Sequence, residues 1–307
     1  MNKEFNFSVT IIGAGSAMPA HNHISACQIV RYGKHYYQID CSDGAFTRMI
    51  ELGIPYQNID AIFISHNHGD HINGLIECIE GFSLGGRTKP LKIFSPAGLE
   101  KLYKPMLDEF CTDLRYKFEF IELNSEEQKV IWEDNCLTVE TIPLLHTVPC
   151  CGYLFKENKK LPHIDIDKIN KFGIPVKFIN SIKNGLDWID KDGTIIKSEE
   201  LTIPPDKPHS YAYCSDTTYF PELSNIIKNV NLVFHETSFK KDDDKQAHIF
   251  GHSTTYSAAL TALDAKVDKL LIGHISARYK SENELLEEVK EVFENTEIAM
   301  DCLTYEI

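Results

Sequence analysis

Short apolar runs rich in β-branched and aromatic residues recur along the chain, and each is typical of a β-strand. Segments with apolar residues at helical spacing lie between many of them, at 44–52, 72–82, 99–110, 219–228, 253–263 and 281–293. The early strands follow one another as in hairpins, whereas the later strands alternate with helices. This order predicts an α/β fold, an αββα sandwich of two mixed sheets packed face to face with helices outside. The predicted strands read FSVTIIG, CQIVRY, YYQID, AIFIS, LKIFS, FEFIEL, LTVETIPLL, YAYCS, NLVFHE and KLLIGH.

The segment 156–208 differs in composition from the rest of the chain. It is rich in Lys and Asp, contains five prolines and carries the turn signals KNG and KDG. Its pattern predicts one helix at 165–172 and a hairpin. We therefore expect a single domain over residues 1–307, with residues 156–208 inserted into it as an arm. Such an arm is either a surface excursion or a device that grips a large substrate.

Charge and apolar content narrow the possible functions. The formal net charge of −14 argues against a protein that coats nucleic acid, because binding to phosphates depends on Lys and Arg. Residues 156–183 are the exception, with seven Lys against three acids, so contact with a polyanion is expected there. No apolar run approaches the roughly 18 to 20 residues of a membrane span. The opening residues also lack signal-peptide features, so we expect a cytoplasmic protein with no membrane partner.

A cluster of ligand-type side chains follows the predicted strand AIFIS. The motif HNHGDH places His66, His68, Asp70 and His71 within six residues. Their spacing fits neither one face of a helix nor one face of a strand, so the segment must fold around a point, and Gly69 supplies backbone freedom for this. A lone histidine is most often a structural residue. Four imidazole and carboxylate groups at this spacing instead indicate a metal site.

This motif and three later residues resemble the metallo-β-lactamase superfamily, whose sites combine HxHxDH with a distant His, a bridging Asp and a last His. Here His146 follows TIPLL, Asp216 follows YAYCS and His274 follows KLLIG. The resemblance implies two zinc ions that share Asp216, with manganese as an alternative metal. The first ion takes His66, His68 and His146, and the second takes Asp70, His71 and His274.

The ligand types favour hydrolysis over redox chemistry. Imidazole and carboxylate suit zinc without any thiolate. Members of the superfamily with a redox di-iron centre typically carry Glu where this chain has His68, and they also need a flavin-binding region. Two zinc ions with two carboxylates and a hydroxide leave a positive site, which attracts a phosphodiester anion.

Beyond the ligands, essentially the whole chain resembles the ribonuclease Z family. The resemblance implies a zinc-dependent endoribonuclease that removes the 3′ trailer from precursor tRNA through attack by a metal-activated hydroxide. It also implies a homodimer in which the arm of one subunit serves the active site of the other. The segments that carry the resemblance are IIGAGSAMPA, YYQIDCSDGAFTRM, HTVPCCGYLF, YCSDT, FHETSF, GHST and GHISARY.

The same resemblance implies the catalytic residues Asp70, Glu236 and His252. An RNA 3′-oxygen needs a proton as it leaves, and a carboxylate–imidazole pair can supply one. His252 is thus expected to donate this proton while Glu236 orients it, and the alternative is that His252 only caps a helix. Arg278 either clamps a phosphate or forms a structural salt bridge.

The arm and the opening turn depart from the family pattern. The arm lacks the Gly-Pro start of the family's tRNA-binding exosite and retains GIPVKFINSIKNG. Lys177 and Lys183 are therefore the candidate tRNA contacts. In the opening turn, His21 and His23 are further candidate ligands, but nothing distinguishes them from surface histidines, and we expect them to be surface residues.

Two other functions compete with this interpretation. One is an enzyme of the same fold that acts on cyclic nucleotides or other small phosphodiesters, but a small substrate would not need the arm. The other is a non-catalytic RNA-binding protein, which the complete set of ligands together with Glu236 and His252 disfavours.

Overall fold

The computed structural model describes residues 7–20, 22–158 and 160–307. The chain divides into two compact units. The larger unit comprises the chain up to Lys156 together with His209–Ile307, and it contains every predicted metal ligand. The smaller unit is Glu157–Pro208, which is named the arm below.

Two mixed sheets of seven strands form the centre of the larger unit. Strands are numbered along the chain, and adjacent strands of each sheet are hydrogen-bonded to one another. In spatial order, the first sheet contains β18 (Thr304–Glu306), β1 (Phe7–Gly13), β2 (Cys27–Tyr32), β3 (His35–Ile39), β4 (Ile59–Phe63), β5 (Leu91–Pro96) and β6 (Phe118–Leu123). The second contains β17 (Thr296–Ile298), β16 (Lys269–Gly273), β15 (Leu232–Glu236), β14 (Ser210–Cys214), β9 (Cys150–Glu157), β8 (Leu137–Leu144) and β7 (Val130–Glu133).

The helices of the larger unit are short compared with the thickness of a membrane. In the ranges that the structure describes, none is long and apolar enough to cross a bilayer. Single 3₁₀ turns at Tyr56–Asn58 and Lys241–Asp243 complete the helical elements. The α-helices are α1 (Ala45–Glu51), α2 (Gly69–Ile72), α3 (Leu75–Leu84), α4 (Leu99–Phe110), α7 (Leu223–Ile226), α8 (Asp244–Phe250), α9 (Thr255–Ala265) and α10 (Glu282–Lys290).

Three apolar layers hold the larger unit together. Between the sheets, Tyr37 and Phe63 pack against Tyr153 and Phe155, and the ring centroids of Phe63 and Tyr153 are 5.2 Å apart. Side chains of α1, α3 and α4 pack on the outer face of the first sheet. Those of α7, α9 and α10 pack on the outer face of the second. The predicted αββα sandwich is therefore confirmed.

Two predicted helices differ from the observed ones. The helix predicted at 72–82 begins only at Leu75, as α3, because the backbone N–H of Gly74 bonds to the carbonyl of Cys41 at 2.9 Å. The chain passes so close there that a Cβ on Gly74 would lie 2.1 Å from the carbonyl oxygen of Ser42. The helix predicted at 219–228 is only α7, since Pro221 disfavours helical backbone in the residue before it.

The arm is a folded unit with its own core. Its helices are α5 (Ile166–Lys171), which lies within the predicted 165–172, and α6 (Ile179–Lys183), which was not predicted. Strand β10 (His163–Ile164) pairs with β13 (Thr202–Ile203), and β11 (Trp188–Ile189) pairs with β12 (Ile195–Ile196). The 3₁₀ turns are Val176–Phe178 and Ser198–Glu200. The buried core consists of Ile169, Ile174, Ile182, Ile196 and Leu201.

Candidate metal centre

The predicted ligands lie at the ends of neighbouring strands. His66, Asp216 and His274 follow β4, β14 and β16, respectively. Strands β14, β15 and β16 run parallel, so their carboxyl ends meet at one edge of the second sheet. Side chains at such an edge can converge on a cleft without disturbing the core. His68 is the N-cap of α2, whose first turn carries the last two residues of the HNHGDH motif.

The structure brings all seven predicted ligands together in two groups. In the first group, the Nε2 atom of His66 lies 3.1 Å from Nδ1 of His68 and 3.6 Å from Oδ2 of Asp216. In the second, Nε2 of His274 lies 3.4 Å from Oδ2 of Asp70 and 3.4 Å from Oδ1 of Asp216. Asp216 thus lies between the groups, since its Oδ2 atom is also 3.7 Å from Nε2 of His71. The groups are His66, His68, His146 and Asp216, and Asp70, His71 and His274.

The donor atoms fit a divalent cation. Two ligands about 2.0–2.1 Å from one tetrahedral zinc ion lie roughly 3.3 Å apart, which is close to the separations observed. Among the described residues, Nε2 of His71 and Oδ1 of Asp216 are buried without a hydrogen-bond partner. Burying such atoms without a partner costs free energy, and a bound cation would remove this cost.

Asp40 supports the ligands from behind and was not singled out from the sequence. Its Oδ2 atom accepts hydrogen bonds from Nδ1 of His71 at 2.7 Å and from the hydroxyl of Tyr213 at 2.6 Å. The backbone N–H of Ser65 donates to its other oxygen at 2.7 Å. Burial lowers the pKa of His71, but Asp40 and Asp216 raise it to about 10. Holding Nδ1–H in this way directs Nε2 of His71 towards a metal, and binding there releases a proton.

Hydrogen bonds also orient two other ligand rings. Nδ1 of His146 donates to the carbonyl of Gly251 at 2.7 Å. Nδ1 of His274 donates to the hydroxyl of Ser238 at 2.9 Å, and this hydroxyl donates to the carbonyl of His274 at 2.9 Å. Both rings therefore direct Nε2 towards the centre. Burial and the neighbouring imidazoles hold the pKa of His66 well below its usual range, which keeps this ring in the neutral form that binds metal.

Unusual backbone conformations occur at three of these positions. Asp40 has a φ of 55° and His274 a φ of 56°, values that side-chain-bearing residues rarely adopt. Gly251 has a φ of 73°, and a Cβ on it would lie 2.8 Å from Nδ1 of His146. Strained backbone of this kind is found mainly at functional sites, where the surrounding structure maintains it.

Glu236 and His252 form a pair beside the ligands. The carboxylate of Glu236 is fully buried and accepts hydrogen bonds from the backbone of Ser253 at 2.6 Å and of Ser238 at 2.9 Å. Nδ1 of His252 lies 3.2 Å from Oε1 of Glu236. Burial lowers the pKa of His252, but the Glu236 carboxylate raises it to about 9. Burial raises the pKa of Glu236, whereas His252 lowers it below its usual range, so the two groups form an ion pair.

The ligand groups open into a cavity of about 430 Å³. Asp70, His252 and Arg278 all line it. The guanidinium of Arg278 donates to Oε1 of Gln246 at 2.6 Å, and its central carbon lies 4.4 Å from the ring centroid of Phe239. The Nε–H of Arg278 also donates to the hydroxyl of Ser276 at 3.2 Å. Within the described part of the chain, Arg278 forms no salt bridge.

The two predicted tRNA-binding lysines lie in the arm. Lys177 belongs to the turn Val176–Phe178, and its ammonium is 5.0 Å from the ring centroid of Phe178. Lys183 is the last residue of α6. They are thus at opposite ends of one short helical segment, outside the unit that contains the metal ligands.

Asp40→Asn is expected to lower the affinity for zinc about 10- to 100-fold, because the substitution removes the negative charge that holds His71. A competitive titration with a chromophoric chelator would measure this. The matched control is Asp60→Asn, since Asp60 is a buried carboxylate that accepts from Nδ1 of His35 at 2.9 Å, outside the ligand groups. Equal zinc affinities of the two variants would contradict the role of Asp40.

The expectation that His23 is a surface histidine is wrong. Its side chain is buried, with Nδ1 2.5 Å from Oδ1 of Asp301 and Nε2 3.3 Å from Oε1 of Glu282. Arg48 also pairs with Asp301. Burial lowers the pKa of His23, but Asp301 and Glu282 raise it to about 9. This contact requires partners more than two hundred residues away, so no local pattern indicates it. His21 lies outside the described residues.

Protonated His23 is expected to make the stability of the protein depend on pH. Its pKa is raised from 6.5 to about 9 on folding, so its contribution is complete below the unfolded pKa and is lost as the pH rises through the folded pKa. The melting temperature of the wild type should therefore fall between pH about 7 and about 9.5 by more than that of His23→Gln. Parallel melting temperatures across this range would contradict the prediction.

Solved structures that are similar to this chain identify its fold class. The chain is similar to the metallo-β-lactamase fold protein YhfI from Bacillus subtilis, with a TM-score of 0.68 and 19% identity over 97% of this chain and 98% of that one. It is also similar to human tRNase Z, short form, with a TM-score of 0.71 and 18% identity over 98% and 99%. The fold and the two ligand groups thus define a protein of the metallo-β-lactamase fold with a candidate metal centre.

Sequence relatives then identify the family. Ribonuclease Z of Bacteroides fragilis is 43% identical over 97% of this chain and 98% of its own length. Ribonuclease Z of Bacteroides thetaiotaomicron is 41% identical over 97% and 95%. A family model described as anti-Pycsar protein Apyc1 also matches residues 7–166, a range that ends before Asp216, Glu236, His252 and His274. The chain belongs to the ribonuclease Z family.

Proposed function

We propose that the protein is an endoribonuclease that removes the 3′ trailer from precursor tRNA. The observation that carries this proposal is the buried Glu236–His252 pair beside a two-metal ligand set, in a chain 43% identical to a ribonuclease Z. A metal centre alone serves many hydrolases of this fold. The additional proton donor is what a poor leaving group such as an RNA 3′-oxygen requires.

The proposed cofactors are two zinc ions, with manganese as an alternative. When bound, such ions generate a nucleophile from water at neutral pH and neutralise charge on phosphate oxygens. Histidine and carboxylate ligands without a thiolate are compatible with either metal. Asp216 would contact both ions, with His66, His68 and His146 around the first and Asp70, His71 and His274 around the second.

The protein's own residues would orient the substrate and supply the proton. Because Nδ1 of His252 is held by Glu236, the opposite ring nitrogen is free to face the cavity and to protonate the leaving oxygen. Burial raises the pKa of Asp70, but His274 and His71 hold it below its usual range, so Asp70 remains a carboxylate. Arg278, at the wall of the cavity, would bind a phosphate of the substrate.

The arm and a second subunit would bind the body of the tRNA. Lys177 and Lys183 are the proposed phosphate contacts, within residues 156–183, where seven lysines stand against three acids. The proposed active form is a homodimer in which the arm of each subunit serves the other's active site. Light scattering should then report a mass twice the 35.0 kDa of one chain.

The deciding experiment incubates purified protein with a 3′-extended precursor tRNA and zinc or manganese. Parallel reactions contain bis-p-nitrophenyl phosphate or cyclic AMP. Cleavage of the precursor at a single junction, lost on chelation and restored by metal, is expected. Rapid hydrolysis of cyclic AMP without cleavage of the precursor would instead establish the alternative, a phosphodiesterase for small substrates.

A further inference from the structure

The mouth of the metal cavity carries an exposed apolar rim. Met18, Ile249 and Phe250 line the cavity, and their exposed fractions are 68%, 70% and 53%. Single exposed apolar residues are common, but a group of them beside a polar cleft marks a binding surface. The metal ligands and Arg278 account for binding of the phosphate. The rim offers a contact surface for an apolar part of the same substrate.

The ring of Phe250 packs against the protein on one side and is exposed on the other. Phe250 ends α8, and the left-handed Gly251 after it closes the helix with a bond from its N–H to the carbonyl of His248 at 3.2 Å. The ring of Phe250 lies parallel to that of the buried Phe239, with centroids 6.3 Å apart and an angle of 6° between the planes. An aromatic ring that already packs on a second ring has less conformational freedom to lose when a base stacks on its exposed face.

Phe250 is close in the chain to residues of the metal centre and to the proposed proton donor. The carbonyl of the next residue, Gly251, orients the ligand His146 at 2.7 Å. The residue after that is His252, whose N–H also bonds to the carbonyl of Ala247 at 2.8 Å. The ring is therefore two residues from the proposed proton donor, and both line one cavity. A group that contacts Phe250 while the phosphate is at the metals must be close to that phosphate.

We propose that Phe250 stacks on a nucleobase that flanks the scissile phosphate and so positions the RNA for cleavage. This proposal rests on the proposed endoribonuclease function. Nucleobases are the flat apolar groups next to a phosphodiester in RNA, and they stack on aromatic side chains largely without regard to sequence. Phe250 is thus a positioning residue that contacts the face of a base and does not distinguish one base from another.

Phe250→Ala is expected to raise KM for a 3′-extended precursor tRNA about 5- to 100-fold, the usual effect of losing one base–aromatic stack. Bound zinc should not change. Phe250→Tyr should restore KM because it keeps the ring, whereas Phe250→Leu should resemble the alanine variant. The matched control is Phe110→Ala, since Phe110 is a similarly exposed phenylalanine (65%) that ends α4 and does not line the metal cavity.

Substrates with one abasic nucleotide, placed on either side of the mapped cleavage point, identify the stacked base. When that base is missing, KM of the wild type should rise as much as KM of Phe250→Ala rises on the normal substrate. Combining the abasic substrate with Phe250→Ala should raise KM no further. The stacking proposal would be overturned if the two increases in KM multiplied for the abasic substrates on both sides of the cleavage point. It would also be overturned if Phe250→Leu had the KM of the wild type. All of these comparisons require that the wild type cleaves precursor tRNA. Failure of the wild type itself would instead overturn the proposed function.

Discussion

His252→Ala is expected to lower kcat on precursor tRNA by about 10² to 10⁴-fold, the usual contribution of general acid catalysis. An RNA 3′-oxygen leaves as a strongly basic alkoxide and needs a proton. The p-nitrophenolate ion is stable without one. The loss on bis-p-nitrophenyl phosphate should therefore be much smaller, and single-turnover kinetics on both substrates would measure the difference.

The buried contact with Glu236 provides a second test of this role. Glu236→Ala should show the same substrate dependence, and the double variant should lose little more than either single one. His248→Ala is the matched control, because His248 is an exposed histidine on the same helix–turn segment. His252 also lies within ligand distance of Asp216 and His274. Loss of bound zinc in His252→Ala would therefore make it a ligand and refute the proton-donor role.

Deletion of the arm is expected to abolish cleavage of precursor tRNA and to leave hydrolysis of bis-p-nitrophenyl phosphate largely intact. The metals perform the chemistry, whereas the arm would bind the distant body of a large substrate. The structure shows where to join the chain, because Lys156 and Ser210 are directly paired across β9 and β14. Asn-Gly in place of Glu157–Pro208 would leave a three-residue hairpin loop there. Equal loss of both activities would mean that the arm is structural.

A milder substitution in the arm tests the lysines directly. Lys177→Ala combined with Lys183→Ala should raise KM for tRNA and lower the slope of its salt dependence by about one for each phosphate that the variant no longer binds. The control is Lys191→Ala with Lys207→Ala, two exposed lysines of the same arm outside residues 156–183. An identical response of the two double variants would assign the effect to net charge alone.

Local patterns in the sequence were sufficient for the fold class and for the metal site at HNHGDH, and the family resemblance supplied the other candidate ligands. Alternating and helical apolar spacing predicted the two sheets and the outer helices, because each element must bury one face in a shared core. The HNHGDH motif indicated a metal site because its four side chains are adjacent in the chain. The missed helices included α8, whose last residue lines the cavity, and α6 in the arm. The missed strands of the two large sheets were β7, β9, β17 and β18.

The sequence by itself determined the αββα sandwich through its apolar spacing. Its motifs, by resemblance, indicated the family and seven candidate ligands. Only the tertiary structure revealed the groups that hold those ligands. Asp40 reaches His71, and Gly251 reaches His146, across more than thirty and one hundred residues of chain. The left-handed backbone of Asp40 and His274 is likewise maintained by the surrounding structure. Hydrogen bonds between distant segments leave no periodicity in the sequence, so their partners become visible only when the chain is folded.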